Sequence, residues 1–335
     1  YFQALGANLG DACFCYVEGA DDSDFSVNLV SQYLSGSDLK AGKFLTQMSK
    51  RYFRLRIIDG VCFVGTSGGS AGCWDSCVAG NRIYIASSHR ISVFSAEDFS
   101  YITYFGSYGS GDGQFKTPTS ICSDGTYLYV ADFNNNRIQK FTLAGTFVSK
   151  VGSHGTGNNQ FTLPICIRQY NGNLYIADRQ NNRVQVHSAS NLSYVGTFSI
   201  GILAWGCWID VTNQRLITCS ETDIKIFNLS DMNSENPEPV LKKSGLPVGR
   251  SPVLIGDYLY RSGHTQNKIL KYLYSDLSYI AEFAPGSGTL PGQLTNPYHL
   301  SLWPERDNLI LIPNMGSPYY VVGITPELKF QSNPD

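Results

Sequence analysis

An all-β fold of repeated four-stranded antiparallel sheets is predicted by three observations. The stretch "YVADFNNNRIQKF" at 129–141 returns as "YIADRQNNRVQVH" at 175–187. Gln114, Pro118, Asp132, Asn136 and Arg137 recur in register as Gln160, Pro164, Asp178, Asn182 and Arg183. Within one unit, "PTSICS", "LYVAD", "RIQKF" and "TFVSKVG" are short runs of strand-forming residues separated by "DG", "NNN" and "LAG" turn chemistry. A single meander of this kind is apolar on both faces and cannot bury them alone. Copies packed face to face around an axis can, which is the β-propeller solution.

The remaining chain carries the same rhythm with weaker landmarks. "GKFLTQMSKRYFRLRIIDGVCFVG" (42–65) has the spacing of the clear units, "NRIYIASSHRISVFSAEDFSYITYFG" (81–106) reads as the middle and outer part of a blade, and "GQLTNP" (292–297) echoes "GQFKTP" (113–118). "QRLITCSETDIKIF" (214–227) and "DYLYRSGHTQNKILKY" (257–272) align as second and third strands. The predicted architecture is therefore seven blades of four antiparallel strands, over 25–65, 73–106, 115–152, 161–197, 204–243, 249–284 and 297–330. The alternative is six blades with the N-terminal unit as an appendage. Residues 12–335 are expected to form one propeller domain, with a strand at 12–19 closing the ring against the last blade, because an open ring would expose sheet edges. Residues 1–11 are expected to be a tag remnant or N-terminal extension, since "YFQ" matches the end of a protease site. The polar, proline-containing segment 228–248 reads as a loop leaving the rim, and the tail 331–335 as frayed.

Composition narrows the function classes. Charged residues are only 16% of the chain, and 25 Lys plus Arg nearly balance 27 Asp plus Glu. That balance gives no general attraction for nucleic acid or an anionic membrane. No apolar run reaches the roughly 20 residues of a membrane span. The nine cysteines are odd in number, and most sit singly in apolar runs. They read as free thiols in a reducing compartment, which leans towards the cytoplasm. Cys73 and Cys77 lack a second pair for zinc.

"GQFKTP…LYVADFNNNRIQKF" and "NQFTLP…LYIADRQNNRVQVH" resemble the NHL repeat, closely over about 90 residues of this chain and diffusely elsewhere. The resemblance implies a propeller. It leaves the work open, because members of this family include protein-binding ends of ubiquitin ligases, RNA binders, sensor domains and a minority of lyases or hydrolases.

Aligning the units places Asp75, Ser120, Cys166, Cys207, Ser251 and His299 at one level of the inner strands, lining the central channel. A His, two Cys and an Asp around one axis raise the possibility of metal chemistry. Side chains from non-adjacent blades rarely converge across a wide channel, however, so a wet lining of small polar groups is expected, with no metal, cofactor or catalytic residue assigned. The repeated Asp132, Asp178, Arg137 and Arg183 read as structural, the Asp bonding turn N–H groups and the Arg pairing with it. His89 and His264 fall in turns between second and third strands and read as solvated loop residues. Trp74, Trp205, Arg250 and Tyr298 fall where loops lead into first strands, on the top face; aromatics and Arg are the types that carry interface energy.

The expected function is a non-catalytic module engaging a protein partner through that face. An RNA-binding propeller is a second reading that the charge balance disfavours; "KRYFRLR" (50–56) is a local basic–aromatic run that also reads as an outer strand. A carbohydrate-binding or viral-type adhesion propeller is a third reading, and a metal-dependent lyase or hydrolase is a fourth.

Overall fold

The computed structural model describes residues 73–97, 100–283, 294–303 and 309–313, together with strands at 2–6, 13–17, 54–56, 61–66 and 319–324. The expectations for 25–53, for the first-unit connection at 67–72 and for the tail at 331–335 lie outside these residues.

Five sheets have four antiparallel strands in simple sequence order. Sheet I comprises Cys73–Ala79, Arg82–Ser87, Arg90–Ser95 and Tyr101–Phe105. Sheet II comprises Pro118–Ser123, Tyr127–Asp132, Arg137–Thr142 and Phe147–Val151. Sheet III comprises Pro164–Tyr170, Asn173–Asp178, Arg183–Ser188 and Tyr194–Ser199. Sheet IV comprises Gly206–Asp210, Arg215–Cys219, Ile224–Asn228 and Leu241–Lys243. Sheet V comprises Pro252–Ile255, Tyr258–Gly263, Lys268–Leu273 and Tyr279–Phe283. The first three strands of a sheet are mostly buried, while the fourth is exposed or half-buried in sheets I and II, as a rim strand should be.

Sheet VI is composite. Ser301–Trp303, Leu309–Pro313 and Tyr319–Ile324 are joined by Val61–Thr66, antiparallel to Tyr319–Ile324, and then by Arg54–Arg56. This corrects two expectations. The strands at 54–56 and 61–66 do not form a blade of their own among the described residues. The strand that closes the last sheet is Val61–Thr66, whereas Cys13–Val17 pairs with Phe2–Gly6 in a separate hairpin. Both arrangements satisfy the same demand, since the outer edge of a three-stranded C-terminal sheet needs a partner.

Hydrogen bonds between neighbouring sheets trace the ring. Ser120 Oγ donates to Asp75 (2.5 Å, II to I), Ile167 N–H to Ser120 Oγ (3.1 Å, III to II) and Cys207 N–H to Cys166 Sγ (3.5 Å, IV to III). Arg261 Nη2 donates to Ser220 O (2.7 Å, V to IV), Ser262 Oγ to Tyr298 O (2.6 Å, V to the strand leading into VI), and the Ser76 and Ser301 hydroxyls bond at 2.7 Å (I to VI). Between the sheets lie clusters of buried apolar residues, such as Ile121, Leu128 and Phe141 with Tyr84 and Ile91 between sheets I and II.

The repeat landmarks have visible jobs. Asp132 Oδ1 accepts Lys116 N–H (2.8 Å) while Oδ2 accepts Arg137 Nε (2.8 Å). The Arg137 guanidinium then binds the carbonyls of Ser110, Gly111 and Gln114 in the glycine-rich connection. Asp178 and Arg183 repeat this in sheet III, the Arg gripping Thr156, Gly157 and Gln160. Asn136 and Asn182 take the left-handed conformation (φ 52 and 53) that ends each short turn.

Segment 228–248 does not leave the rim as a free loop. Leu241–Lys243 is the outer strand of sheet IV. Asn233 is pinned to the edge of sheet III, donating its N–H to Thr197 O (2.8 Å) and accepting Thr197 N–H at its side chain (2.9 Å).

Candidate functional site

The four top-face candidates come together. Tyr298, in the loop leading into sheet VI, lies with its ring centroid 4.4 Å from Trp74 of sheet I and 5.6 Å from Trp205, which precedes sheet IV. The Arg250 guanidinium, preceding sheet V, sits 3.8 Å from the Trp205 ring and 4.4 Å from the Tyr298 ring. Each is positioned by its own backbone: Trp205 N–H donates to Cys219 O (2.8 Å), Arg250 N–H to Ser262 O (2.9 Å), and His299 N–H to Trp74 O (3.2 Å). Arg261, fully buried, donates to Ser220 O, Glu221 O and Gly249 O, so it holds the two loops that present Glu221 and Arg250.

Two further residues belong to this cluster. Arg179, the residue after the repeated Asp178, lies 3.9 Å from the same Trp205 ring. His264, at the matching position of sheet V, meets Tyr298 at 5.0 Å. It is therefore not the solvated loop residue expected; burial first, and then Arg250, push its pKa down to about 4. Alignment could have found both. The residue one place beyond the second strand is Phe133, Arg179 and His264 in sheets II, III and V, and in sheets III and V it meets the aromatic cluster. Tyr298 and Arg250 are buried, Trp74 and Trp205 half-buried, and Glu221 exposed. Glu221 pairs with Arg250 at 3.3 Å. Leu203, two residues before Trp205, is 47% exposed and places apolar surface near this cluster in sequence.

Beneath the aromatic layer lie the six inner-strand residues, and here the expectation of a wet lining fails. Asp75, Ser120, Cys166, Cys207, Ser251 and His299 are all 0% exposed. The hub is narrow enough for Arg168 of sheet III to reach across it. Its Nη1 donates to Asp75 Oδ2 (2.9 Å) and Ser120 Oγ (3.1 Å), and its Nη2 to Leu300 O (3.0 Å) beside sheet VI. Sequence reasoning missed Arg168, although a charged residue in the otherwise apolar strand "PICI" was a signal. Beside it, the Cys166 and Cys207 sulfurs are 3.8 Å apart. Burial raises the Cys166 pKa, but S–H donation from Cys207, with Arg168 and His299 nearby, outweighs it and pulls the thiol well below its usual range. Cys207, sharing its proton with Cys166 and also buried, is raised. Ser251 Oγ and both His299 ring nitrogens have no hydrogen bond among the described residues.

Known proteins place the fold. A family model, DUF5128, described as a 6-bladed beta-propeller, matches residues 114–235. Among solved structures, the chain is similar to the WD40 beta-propeller domain of Doa1, with TM-score 0.55 and 11% identity over 79% of this chain and 97% of that one. It is also similar to the RRP9 WD40 repeats, with TM-score 0.54 and 10% identity over 78% and 97%. The fold is a β-propeller. No curated protein matches the sequence. Identities this low carry the architecture and not the work. Among the described residues no helix is long and apolar enough to cross a membrane, and no group of three or more His, Cys, Asp or Glu is arranged to hold a metal ion.

Proposed function

We propose that this chain is a six-bladed propeller of NHL type that acts as a non-catalytic binding module, engaging a protein partner through its top face at Trp74, Trp205, Arg250 and Tyr298. The composite sheet of 54–66 with 301–324 supports the count of six, as a sixth blade closed by a strand from the other end of the chain. The observation that carries the binding reading is the convergence of side chains from five sheets or their leading loops on one half-buried aromatic–arginine cluster. Large rings with an Arg, partly desolvated and held by a rigid scaffold, are the groups that carry interface energy. WD40 propellers, to which the fold is similar, are a common interaction scaffold, which supports the same reading.

A random peptide library displayed on phage, selected on the intact chain, tests it. Peptides that bind the chain and lose binding to Trp205→Ala, with the folding of that variant retained by circular dichroism, are expected. Selected peptides that bind Trp205→Ala and Tyr298→Ala as well as the parent would refute docking at this face.

A further inference from the structure

The two arginines around Trp205 raise a question that the aromatic cluster alone does not. The Arg179 and Arg250 guanidiniums lie 3.9 Å and 3.8 Å from one indole centroid, so two fixed positive charges share one ring. Their proximity is unfavourable, and Arg179 contributes to lowering the Arg250 pKa, behind the larger effect of burial. Among the described residues only one carboxylate answers them. Glu221 reaches Arg250 at 3.3 Å from an exposed position. The Arg179 side chain makes neither an ion pair nor a hydrogen bond among the described residues, and its guanidinium lies against the Trp205 ring. Other arginines of these sheets are gripped: Arg137, Arg183 and Arg261 each bind backbone carbonyls. The Nε atoms of Arg179 and Arg250 are buried without a partner.

We infer that this corner of the top face, Arg179–Trp205–Arg250, receives a carboxylate side chain of an acidic peptide segment, with a neighbouring apolar side chain of the same peptide against Trp74 and Leu203. The inference rests on the docking reading above and adds the chemistry of the partner. A planar guanidinium with free donors matches a carboxylate in a fork geometry, and a stacked Arg is pre-organised to offer it. A second anion would balance the uncompensated charge, while the exposed Glu221 limits how much negative charge is accommodated. That limit favours a peptide carboxylate over a polyanionic nucleic acid backbone. The rings point the same way: guanidiniums lie against Trp205, and Tyr298 is buried against Trp74, Trp205 and His264, which leaves little open aromatic face for a base to stack on.

The test uses three blocked hexapeptides that differ only in charge: acetyl-(Glu-Leu)3-amide, its Gln-Leu analogue and its Lys-Leu analogue, titrated into the intact chain at low salt and followed by tryptophan fluorescence and calorimetry. The Glu-Leu peptide is expected to bind at least about ten-fold more tightly than the Gln-Leu peptide, and to weaken as salt is raised. Arg179→Gln, which removes no ion pair or hydrogen bond of that side chain among the described residues and only its contact with the Trp205 ring, is expected to erase most of that preference while the protein stays folded with a cooperative thermal transition. Equal affinity for the Glu-Leu and Gln-Leu peptides overturns the inference, as does an acid preference that survives in Arg179→Gln. Oligouridylate binding more tightly than the Glu-Leu peptide, and lost in Arg179→Gln, overturns it in favour of a phosphate ligand. The two failures separate cleanly. If library peptides depend on Trp205 but show no acidic preference, docking stands and the carboxylate falls; if none depend on Trp205, docking falls with it.

Discussion

Replacing Arg168 by Met should destabilise the propeller more than any single change on its rim. Arg168 carries four hydrogen bonds, to Asp75, Ser120, Ile167 O and Leu300 O, and ties sheet III to sheets I and VI through the hub. Asp75 is 0% exposed, so its charge has no access to water once the guanidinium is gone. Removing one partner of a buried pair costs about 3–5 kcal/mol. Asp75 would keep Ser76 N–H (2.9 Å), Ile121 N–H (3.3 Å) and the Ser120 hydroxyl, which puts the expected loss near the lower end, about 3 kcal/mol. Against a total stability of about 5–15 kcal/mol that is a large fraction. Asp75→Asn, which strands the buried cation instead, should cost a similar amount. The double variant should cost far less than the sum, because neither charge is then left alone, and the expected coupling is about 2–3 kcal/mol. Urea unfolding of the four proteins, followed by tryptophan fluorescence and far-UV circular dichroism, measures this directly. If the two single losses add to within about 0.5 kcal/mol in the double variant, the pair is not a tie across the hub and the reasoning fails.

Three further outcomes follow from local geometry. Gly152 has φ +124, and an added Cβ would lie 2.6 Å from Asn136 O and 2.7 Å from the Arg137 Cα, whereas Gly172 has φ +73 and open space around it. Gly152→Ala should therefore lose about 3 kcal/mol or more and Gly172→Ala only about 1 kcal/mol, by denaturant midpoint; equal losses would show that the close approach does not matter. With the His264 pKa held down to about 4 against an ordinary 6.5, the unfolded chain takes up a proton that the folded one refuses as pH falls. Stability should fall between pH 6.5 and about 4 and level off below as far as this group is concerned. His264→Gln should flatten that part of the profile, and a profile unchanged by the substitution would refute the assignment. Cys166 and Cys207 are wholly buried although Cys166 is drawn towards the thiolate. Iodoacetamide should leave both unlabelled in the native protein by mass spectrometry, and labelling within minutes under native conditions would show that the hub opens.

What the chain disclosed of itself depends on the range of the interactions involved. Asp132, Asn136, Arg137 and Gln114 were legible as a repeated set because each does its work inside one unit or against the next, so the same constraint is met again 46 residues later. The convergence of Trp74, Trp205, Arg250 and Tyr298 was legible for a related reason: one position per unit leads into a first strand, and a ring brings equivalent positions towards its axis. The width of that ring was not legible, because it is set by how many sheets close it and by which strand completes the last one. Misjudging it hid Arg168, whose partners Asp75 and Leu300 come from sheets far away in sequence, and led to a wet channel where the structure has a packed hub. Closure by Val61–Thr66 was hidden because a closing strand matches its partner's edge and not the repeat. Arg179 escaped notice for the opposite reason. It sits in the best-preserved motif of the chain, at the first of the two places within "ADxxNNR" where the copies differ, Phe133 in one and Arg179 in the other. Landmarks that recur report what every blade needs in order to fold; a position between them that changes is free to face a partner, and there an arginine stands against a ring with no carboxylate paired to it among the described residues.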